Sequence, residues 1–214
     1  MKKLSFLLLL FGCFLFNSTA HAQQLFRAGI VGGFNFTQID GDDVAGYDKL
    51  GLNGGFVVEL GLDEYNRWSA AMEILYSQKG SRSTLRNSVV DFKITMDYAE
   101  IPLLVKYHDL KGGLIFGAGV LIGRSVKNKY EIFGLDETED YFGGDYPPKK
   151  WDVGGIVDVS YMFSSTFGLN FRFTNSITAT RTNCDSILAP SNECLRQRHR
   201  ALALRAIFMF AGQE

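Results

Sequence analysis

The sequence predicts an all-β fold: an eight-stranded antiparallel up-and-down transmembrane β-barrel with long extracellular loops and short periplasmic turns. Three observations predict it: an export signal, segments whose apolar side chains recur at every second position, and connections that alternate between long and short. Because successive side chains of a strand point to opposite faces, each segment gains one apolar and one polar face. The apolar faces would contact lipid and the polar faces the barrel interior.

The N-terminal residues have the features of an export signal. Two lysines precede an apolar stretch from Leu4 to Phe16, and Ala20-His21-Ala22 ends that stretch with small residues around a cleavage site. The stretch is too short to cross a bilayer as a helix. We therefore expect residues 1–22 to be removed and residues 23–214 to form the barrel. A lipoprotein cleavage site at Cys13 is the alternative.

The second predicted strand, Leu50–Leu62, shows the alternation most clearly. Every even-numbered residue of this strand is apolar or glycine, whereas the odd-numbered residues are mostly small or polar and include Glu59. The strand is also much longer than an ordinary strand, which has about five or six residues. Its apolar face must therefore contact either a protein core or a lipid bilayer.

Seven other segments repeat this division of faces, the fifth and eighth strands least cleanly. In chain order they are Leu25–Thr37, Trp68–Lys79, Thr95–Tyr107, Gly113–Arg124, Trp151–Phe163, Phe167–Ser176 and His199–Phe210. Pro102 lies in the fourth strand, and proline has no N–H to donate to a neighbouring strand. We expect a bulge or a missing hydrogen bond at that position.

The connections between these strands are sorted by length. Residues 38–49, 80–92, 125–150 and 177–198 form long connections, whereas residues 63–67, 108–112 and 164–166 form short ones. Long loops at one rim and short turns at the other are typical of outer-membrane barrels, with both termini in the periplasm. The alternative is a soluble, exported lipocalin-like barrel, which would place its apolar residues inside.

The mature chain carries a small negative charge. The sequence has 22 basic and 23 acidic residues, and removal of residues 1–22 takes away two basic and no acidic ones, which leaves a net charge of −3. This balance argues against nucleic acid as a partner. The expected partners are outer-membrane lipid and lipopolysaccharide, the barrel-assembly machinery, and envelope or secretion proteins.

One segment carries a family resemblance. Tyr98-Ala99-Glu100-Ile101-Pro102-Leu103-Leu104-Val105-Lys106-Tyr107 resembles the PorT family of small outer-membrane β-barrels. Gly29, Gly33 and Asn35 resemble that family's first strand, Glu73-Ile74-Leu75-Tyr76 its third and Asp152-Val153-Gly154 its sixth. The resemblance covers essentially the whole mature chain and implies a Gram-negative outer-membrane barrel. Some relatives are implicated in protein secretion, and no functional residues are carried over.

Charged residues on the predicted inner faces are the first candidates for a functional site. An eight-stranded barrel is just wide enough for side chains to fill it, and buried charges are costly unless they are paired. We therefore expect a network of ion pairs in the lumen and no solute pore. The candidate network comprises Arg27, Glu59, Glu73, Glu100, Lys106, Asp158, Arg172 and Arg205, with Lys79 and Asp152 as further inward charges.

The sequence predicts no catalytic, cofactor-binding or metal site. His108 and His199 are the histidines of the mature chain, and they fall on opposite rims with no GxSxG or metal-ligand spacing. Glu73 and Glu100 could act as paired carboxylates only if their side chains met and water reached them. We therefore expect a non-enzymatic protein. A membrane-embedded lipid-modifying enzyme or protease is the less favoured alternative.

The long loops carry two further patterns. Cys184 and Cys194 share the last loop, and export to an oxidising compartment favours a disulfide between them. Acidic residues also cluster in two other loops, which is typical of a solvated surface. The alternative is a divalent cation that bridges either the loops or lipopolysaccharide phosphates. The acidic residues are Asp40, Asp42, Asp43 and Asp48, then Asp136, Glu137, Glu139, Asp140 and Asp145.

The functional prediction is correspondingly broad. The chain would be a structural or accessory component of an envelope or protein-secretion complex in the outer membrane. The second hypothesis is a surface adhesin or a passive structural barrel that acts through its extracellular loops.

Overall fold

A computed structural model describes residues 26–40, 46–83, 91–109, 111–139, 147–183 and 195–210. Its strands are β1 (Phe26–Asp40), β2 (Lys49–Gly61), β3 (Trp68–Ser83), β4 (Phe92–His108), β5 (Leu114–Ile132), β6 (Leu135–Asp136), β7 (Trp151–Met162), β8 (Phe167–Ser176), β9 (Arg181–Asn183) and β10 (Leu195–Met209). The predicted export signal lies outside the described residues. Among the described residues, no helix is long and apolar enough to cross a bilayer.

Eight of these strands close into an antiparallel barrel, so the predicted fold is confirmed. Neighbouring strands follow the order β1-β2-β3-β4-β5-β7-β8-β10, and β10 pairs with β1 to close the cylinder. The short strand β6 pairs with the end of β5, and the short strand β9 pairs with the beginning of β10. Closure leaves no unpaired edge along the membrane-spanning part, as a strand structure in lipid requires.

An apolar belt surrounds the barrel. It consists of exposed apolar side chains at alternate strand positions, such as Phe56, which is 65 % exposed, and Phe171, which is 53 % exposed. Aromatic side chains, including the contacting pair Trp68 and Tyr107, gather at the rim with the short turns. Because the apolar residues face outward, the lipocalin-like alternative is wrong and lipid is the surrounding medium.

Pro102 interrupts the pairing between β3 and β4, as expected. Met72 pairs with Leu103, and pairing resumes at Leu75 and Glu100 in the same register, so two residue pairs are missing between them. On its other side, Pro102 itself stays in register with β5. The absent N–H therefore costs pairing with only one neighbouring strand.

Five strands, β1, β3, β4, β5 and β10, extend by three residues or more beyond their predicted ends, on the rim that carries the long connections. β3 runs to Ser83, β4 begins at Phe92 and β5 runs to Ile132, so parts of the predicted loops 80–92 and 125–150 are strand. Tyr98 pairs with Ser125 while Asp97 pairs with Lys127, which identifies a bulge in β5. The bulge shifts the alternation by one residue and so hides the continuation of the strand in the sequence.

The polarity of the two faces reverses in this extension. Within the belt, outer faces are apolar and inner faces carry the buried charges beside two small apolar clusters, whereas above the belt a cluster of buried apolar side chains lies in the interior. We call this apolar cluster the cap; it contains Ile39, Ile94, Met96, Tyr98 and Tyr130, with Phe92 and Ile132 packed against it. The cap lies on the rim that is extracellular in outer-membrane barrels. Its arrangement is that of a β-structure in water.

Candidate functional site

Glu73 lies at the centre of a buried ion-pair cluster in the lumen. Arg172 donates from Nη1 to Oε2 of Glu73 at 2.8 Å and from Nη2 to Oε1 at 2.7 Å. Arg205 donates from Nη1 to Oε2 at 3.0 Å. Arg172 also donates from Nε to Asp158 at 3.0 Å. Because two-pronged guanidinium–carboxylate contacts are strong and directional, this cluster fixes the middle of the barrel.

The cluster crosses the whole lumen. Asp158 and Arg172 are cross-strand neighbours on β7 and β8, whereas Glu73 lies on β3, four strands away from β8 in either direction around the barrel. Glu73 and Arg205 are each only 1 % exposed. Arg205 also donates to Asn170 Oδ1 at 2.6 Å. Side chains from opposite walls therefore meet and fill the interior at this level.

A second cluster lies nearer the cap. Lys79 Nζ lies 2.6 Å from Glu100 Oε1 and 3.2 Å from Asp152 Oδ2. Ser176 donates to the same Asp152 oxygen at 2.9 Å. Lys79 also lies over the ring of Tyr98, 5.2 Å from its centroid. Lys79 and Asp152 therefore belong to the buried ion-pair network, although the sequence identified them only as inward-facing charges.

The third group of inward charges lies towards the short-turn rim. Lys106 donates to Glu59, and both side chains are buried. Arg27 donates to the carbonyl oxygen of Ser165 at 3.0 Å instead, and among the described residues it has no carboxylate partner. Arg27 is thus the one member of the candidate network that contacts the backbone of a turn.

The paired-carboxylate chemistry considered for Glu73 and Glu100 does not match this geometry. Glu73 is held by two arginines and Glu100 by Lys79, and the two carboxylates are 1 % and 4 % exposed. Each is neutralised by its own base and shielded from water. A general acid or base would need a proton route and a substrate within hydrogen-bond reach.

One polar contact was not predicted from the sequence. Ser69 Oγ lies 2.8 Å from Nε2 of His108, although the residues are 39 positions apart. They meet because Ser69 pairs with Lys106 on the adjacent strand. Among the described residues, no carboxylate hydrogen-bonds to the other ring nitrogen of His108. The orienting acid of a serine–histidine triad is therefore missing in this part of the chain.

His199 lies above the belt, at the base of the cap. Its Nε2 is 3.2 Å from the hydroxyl of Tyr98, the two rings meet edge to face, and His199 is 1 % exposed. Its Nδ1 is buried and has no hydrogen-bond partner among the described residues. Burial lowers the pKa of His199 to about 4, so the ring is neutral at pH 7.

The hairpin formed by β5 and β6 projects beyond the cap. Ile132 pairs with Leu135, and the two residues between them have positive φ, 48° at Phe133 and 81° at Gly134. Phe133 is 61 % exposed and Leu135 67 %. An apolar pair thus occupies the tip of a tight turn in water.

Salt bridges between charged side chains of β4, β5 and β6 stabilise this hairpin. Lys129 lies 2.7 Å from Glu131 and 3.8 Å from Asp136, and Lys93 lies 3.3 Å from Glu131. The hydrogen bond from Lys129 lowers the pKa of Glu131, and the hydroxyl of Thr138 lowers that of Asp136. Two residues of the predicted acidic clusters, Asp136 and Asp40, thus pair with bases, Asp40 with Arg200 at 2.8 Å.

Several predicted site residues cannot be placed. Cys184, Cys194, Asp42, Asp43, Asp140 and Asp145 lie outside the described residues. The disulfide and the bridging cation therefore stay predictions. Within the described ranges, no group of three or more His, Cys, Asp or Glu residues is arranged to hold a metal ion.

A closed barrel with an apolar belt and a lumen that contains buried ion pairs defines a small outer-membrane barrel. The family comparison agrees with this class. The chain belongs to the outer membrane protein beta-barrel domain family, whose model matches residues 21–180. It is accordingly a protein of the bacterial outer membrane.

The chain is also similar to several solved structures. Ail of Yersinia pestis, in complex with the heparin analogue sucrose octasulfate, is 12 % identical over 87 % of this chain and 99 % of that chain, with a TM-score of 0.47. Neisserial surface protein A is 12 % identical over 86 % and 97 %, with a TM-score of 0.44. OprG of Pseudomonas aeruginosa is 11 % identical over 86 % and 94 %, with a TM-score of 0.38. None of the curated proteins compared with the chain matches it.

Proposed function

We propose that the protein is a closed, non-enzymatic outer-membrane barrel that presents the β5–β6 hairpin as a docking point for a protein partner. The barrel and its buried ion pairs would serve as the rigid base, and the exposed tip of the hairpin would make the contact. The observation that carries this proposal is the conformation of Phe133, which has a φ of 48° and is 61 % exposed.

This conformation is costly for phenylalanine. Two-residue turns with positive φ favour asparagine, aspartate or glycine at the first position, because a side chain there meets the following carbonyl group. The strain amounts to roughly 1–2 kcal/mol. Packing does not offset it, since most of the Phe133 side chain is in water. Backbone strain of this kind concentrates at binding sites, and this supports a role for the tip in recognition.

The hairpin is also organised in advance of binding. Lys129 links Glu131 to Asp136 across the two strands, and the N–H of Phe133 donates to the carbonyl oxygen of Asp91 at 2.9 Å. A rigid loop loses little entropy when it binds. Exposed aromatic residues held in this way are the usual anchors of protein interfaces.

The charge around the tip indicates the chemistry of the partner. Glu131 and Asp136 are paired with Lys129 and Lys93, and Glu137 and Glu139 add two further negative charges on the segment that carries Phe133 and Leu135. An anionic membrane surface would repel this segment. We expect a protein with an apolar pocket and a basic rim.

The side of the outer membrane on which the partner binds distinguishes the two hypotheses about the function. A surface partner corresponds to an adhesin-like barrel. The resemblance of Tyr98–Tyr107 to the PorT family supports an accessory role in an envelope or secretion complex instead. The strained tip favours the surface partner, because it lies on the extracellular rim.

Photo-crosslinking in cells tests this proposal. A photoreactive residue at Leu135, beside Phe133, is expected to give an adduct of one discrete mass. The same group at Lys150, exposed on the same rim, is the matched control and should give none. No adduct from Leu135 would contradict the proposal, and an adduct only from Lys111 in a short periplasmic turn would favour the secretion reading.

The Phe133→Asn variant then separates binding from folding. Asparagine tolerates positive φ, so the barrel should be as stable as the parent protein or slightly more stable. The adduct from position 135 should nevertheless disappear. An undiminished adduct would show that Phe133 is not the anchor.

A further inference from the structure

We infer that the outward face of β10 above the belt binds the phosphate groups of outer-leaflet glycolipid. Arg196, Arg198 and Arg200 occupy alternate positions on this face and are exposed; we call them the arginine ladder. The ladder lies beside β1 and β8, whereas the hairpin proposed for docking lies on β5. The inference therefore stands independently of the proposed function.

The ladder begins where the apolar belt ends. Leu202 pairs with Phe36 of β1 and with Phe173 of β8, and all three side chains belong to the outward face. The next outward position on each strand is polar: Arg200 stands between Gln38 and Asn175. The boundary between lipid tails and headgroups thus runs across three neighbouring strands at the level of Arg200.

Strand geometry places the ladder within the headgroup layer. A strand rises by about 3.3 Å per residue, and barrel strands tilt by about 40°. Successive arginines of the ladder therefore lie about 5 Å apart along the membrane normal. The headgroup layer of one leaflet is about 5–7 Å thick. Arg200 and Arg198 fall in or next to this layer, and Arg196 lies just beyond it.

The described residues leave the ladder with an excess of positive charge. Arg200 Nε lies 2.8 Å from Oδ2 of Asp40, and Asp40 is also the cross-strand neighbour of Arg198. Among the described residues, no other carboxylate pairs with these three arginines. The cations near the hairpin differ in this respect, because Lys93 and Lys129 have carboxylate partners.

The residue type fits a phosphate ligand. A guanidinium group presents a planar fork of donors that can bind two phosphate oxygens at once, and it is weakly hydrated. Side chains at alternate positions of one strand face point the same way, so neighbouring arginines can bind one phosphate together. Since the ladder is next to apolar lipid tails, water screens these contacts less than in bulk solution.

Reconstitution into vesicles of defined composition tests the inference. The full protein is folded into phosphatidylcholine vesicles with or without lipid A, and its thermal unfolding midpoint is followed by heat-modifiable gel mobility. We expect lipid A to raise the midpoint by about 3–6 °C, a readily measured shift for a chain of this size. Lipid A without phosphates should give no rise.

Two matched variants locate the effect. The triple variant R196Q/R198Q/R200Q should lose the rise, whereas K93Q/K127Q/K129Q, which removes as many exterior cations from β4 and β5, should keep it. If the triple variant fails to fold, R198Q alone should show a reduced rise. Retention of the full rise without the ladder, or no rise in the parent protein, would overturn the inference.

The remaining outcomes are also decisive. If the arginines only pair with carboxylates of the chain itself, the triple variant should unfold earlier in every vesicle, with no dependence on lipid phosphate, and this would overturn the inference. Inorganic phosphate added to phosphatidylcholine vesicles should leave the midpoint unchanged. A rise as large as that with lipid A would contradict the assignment to a lipid.

Discussion

Strand β4 carries Ile94 towards the barrel interior and has Lys93 on its outer face, but further along it carries Glu100 inward and Ile101 outward. The backbone pleat is the same in both regions. The medium outside the barrel differs, being water around the cap and lipid around the belt. The comparison shows that the surroundings of the barrel, and not the strand itself, decide which face is polar.

The two regions are accordingly held together by different interactions. In the belt region, the lumen is closed by ion pairs such as those of Glu73 with Arg172 and Arg205. In the cap, apolar side chains such as Ile94 and Met96 pack on each other. Removing a partner from a buried ion pair costs more than removing methyl groups from an apolar cluster, because a charge is left unpaired.

The largest effect is expected for Glu73→Ala. The substitution leaves Arg172 and Arg205 without their shared carboxylate and should lower the free energy of unfolding by about 3–5 kcal/mol. Urea unfolding of the protein in lipid vesicles would measure it. Thr174→Val, which changes another inward residue of the lumen without touching a charge, is the control and should cost much less. Equal losses would show that the ion pairs do not hold the lumen.

A smaller loss is expected for Ile94→Ala in the cap, about 2–4 kcal/mol from the cavity and the lost apolar contacts. Hydrogen exchange should locate the loss in residues 92–96 of β4 and leave residues 100–106 protected. The neighbouring exposed residue gives the control, since Lys93→Ala should change stability by no more than about 0.5 kcal/mol. Uniform loss of protection along β4 would contradict a separate cap.

The cap should also depend on pH through His199. Its pKa is about 4 in the folded protein, below the ordinary value of 6.5, so the unfolded chain binds this proton more readily. The stability that neutral His199 provides is complete above about pH 6.5 and is lost as the pH falls towards 4, by up to about 3 kcal/mol. His199→Gln should remove this part of the pH dependence. An unchanged pH profile would contradict it.

Much of the fold follows from sequence alternation alone. The inward position of Glu73, Arg172 and Arg205 could be predicted, because a closed barrel gives each strand one inner face. Their pairing could not, since Arg172 and Glu73 lie on opposite walls and 99 positions apart. Only the register of all the intervening strands brings the two side chains together.

Features of the extracellular extension were harder to predict. The bulge at Ser125–Lys127 breaks the period of two, and the reversal of polarity makes the cap segments resemble loops. For the same reason Arg196 and Arg198 fell in a predicted loop, although β10 begins at Leu195. The contact between Ser69 and His108 has no local signal in the sequence.

The reversal of polarity is tested most directly by spin labels along β4, in a cysteine-free background reconstituted in vesicles. Labels at the outward positions Leu103 and Ile101 should be more accessible to oxygen, which concentrates in lipid, than to a water-soluble nickel complex. Labels at Thr95 and Lys93 should show the opposite preference. The account predicts that the preference changes sign between Ile101 and Thr95. One preference along the whole strand would contradict it.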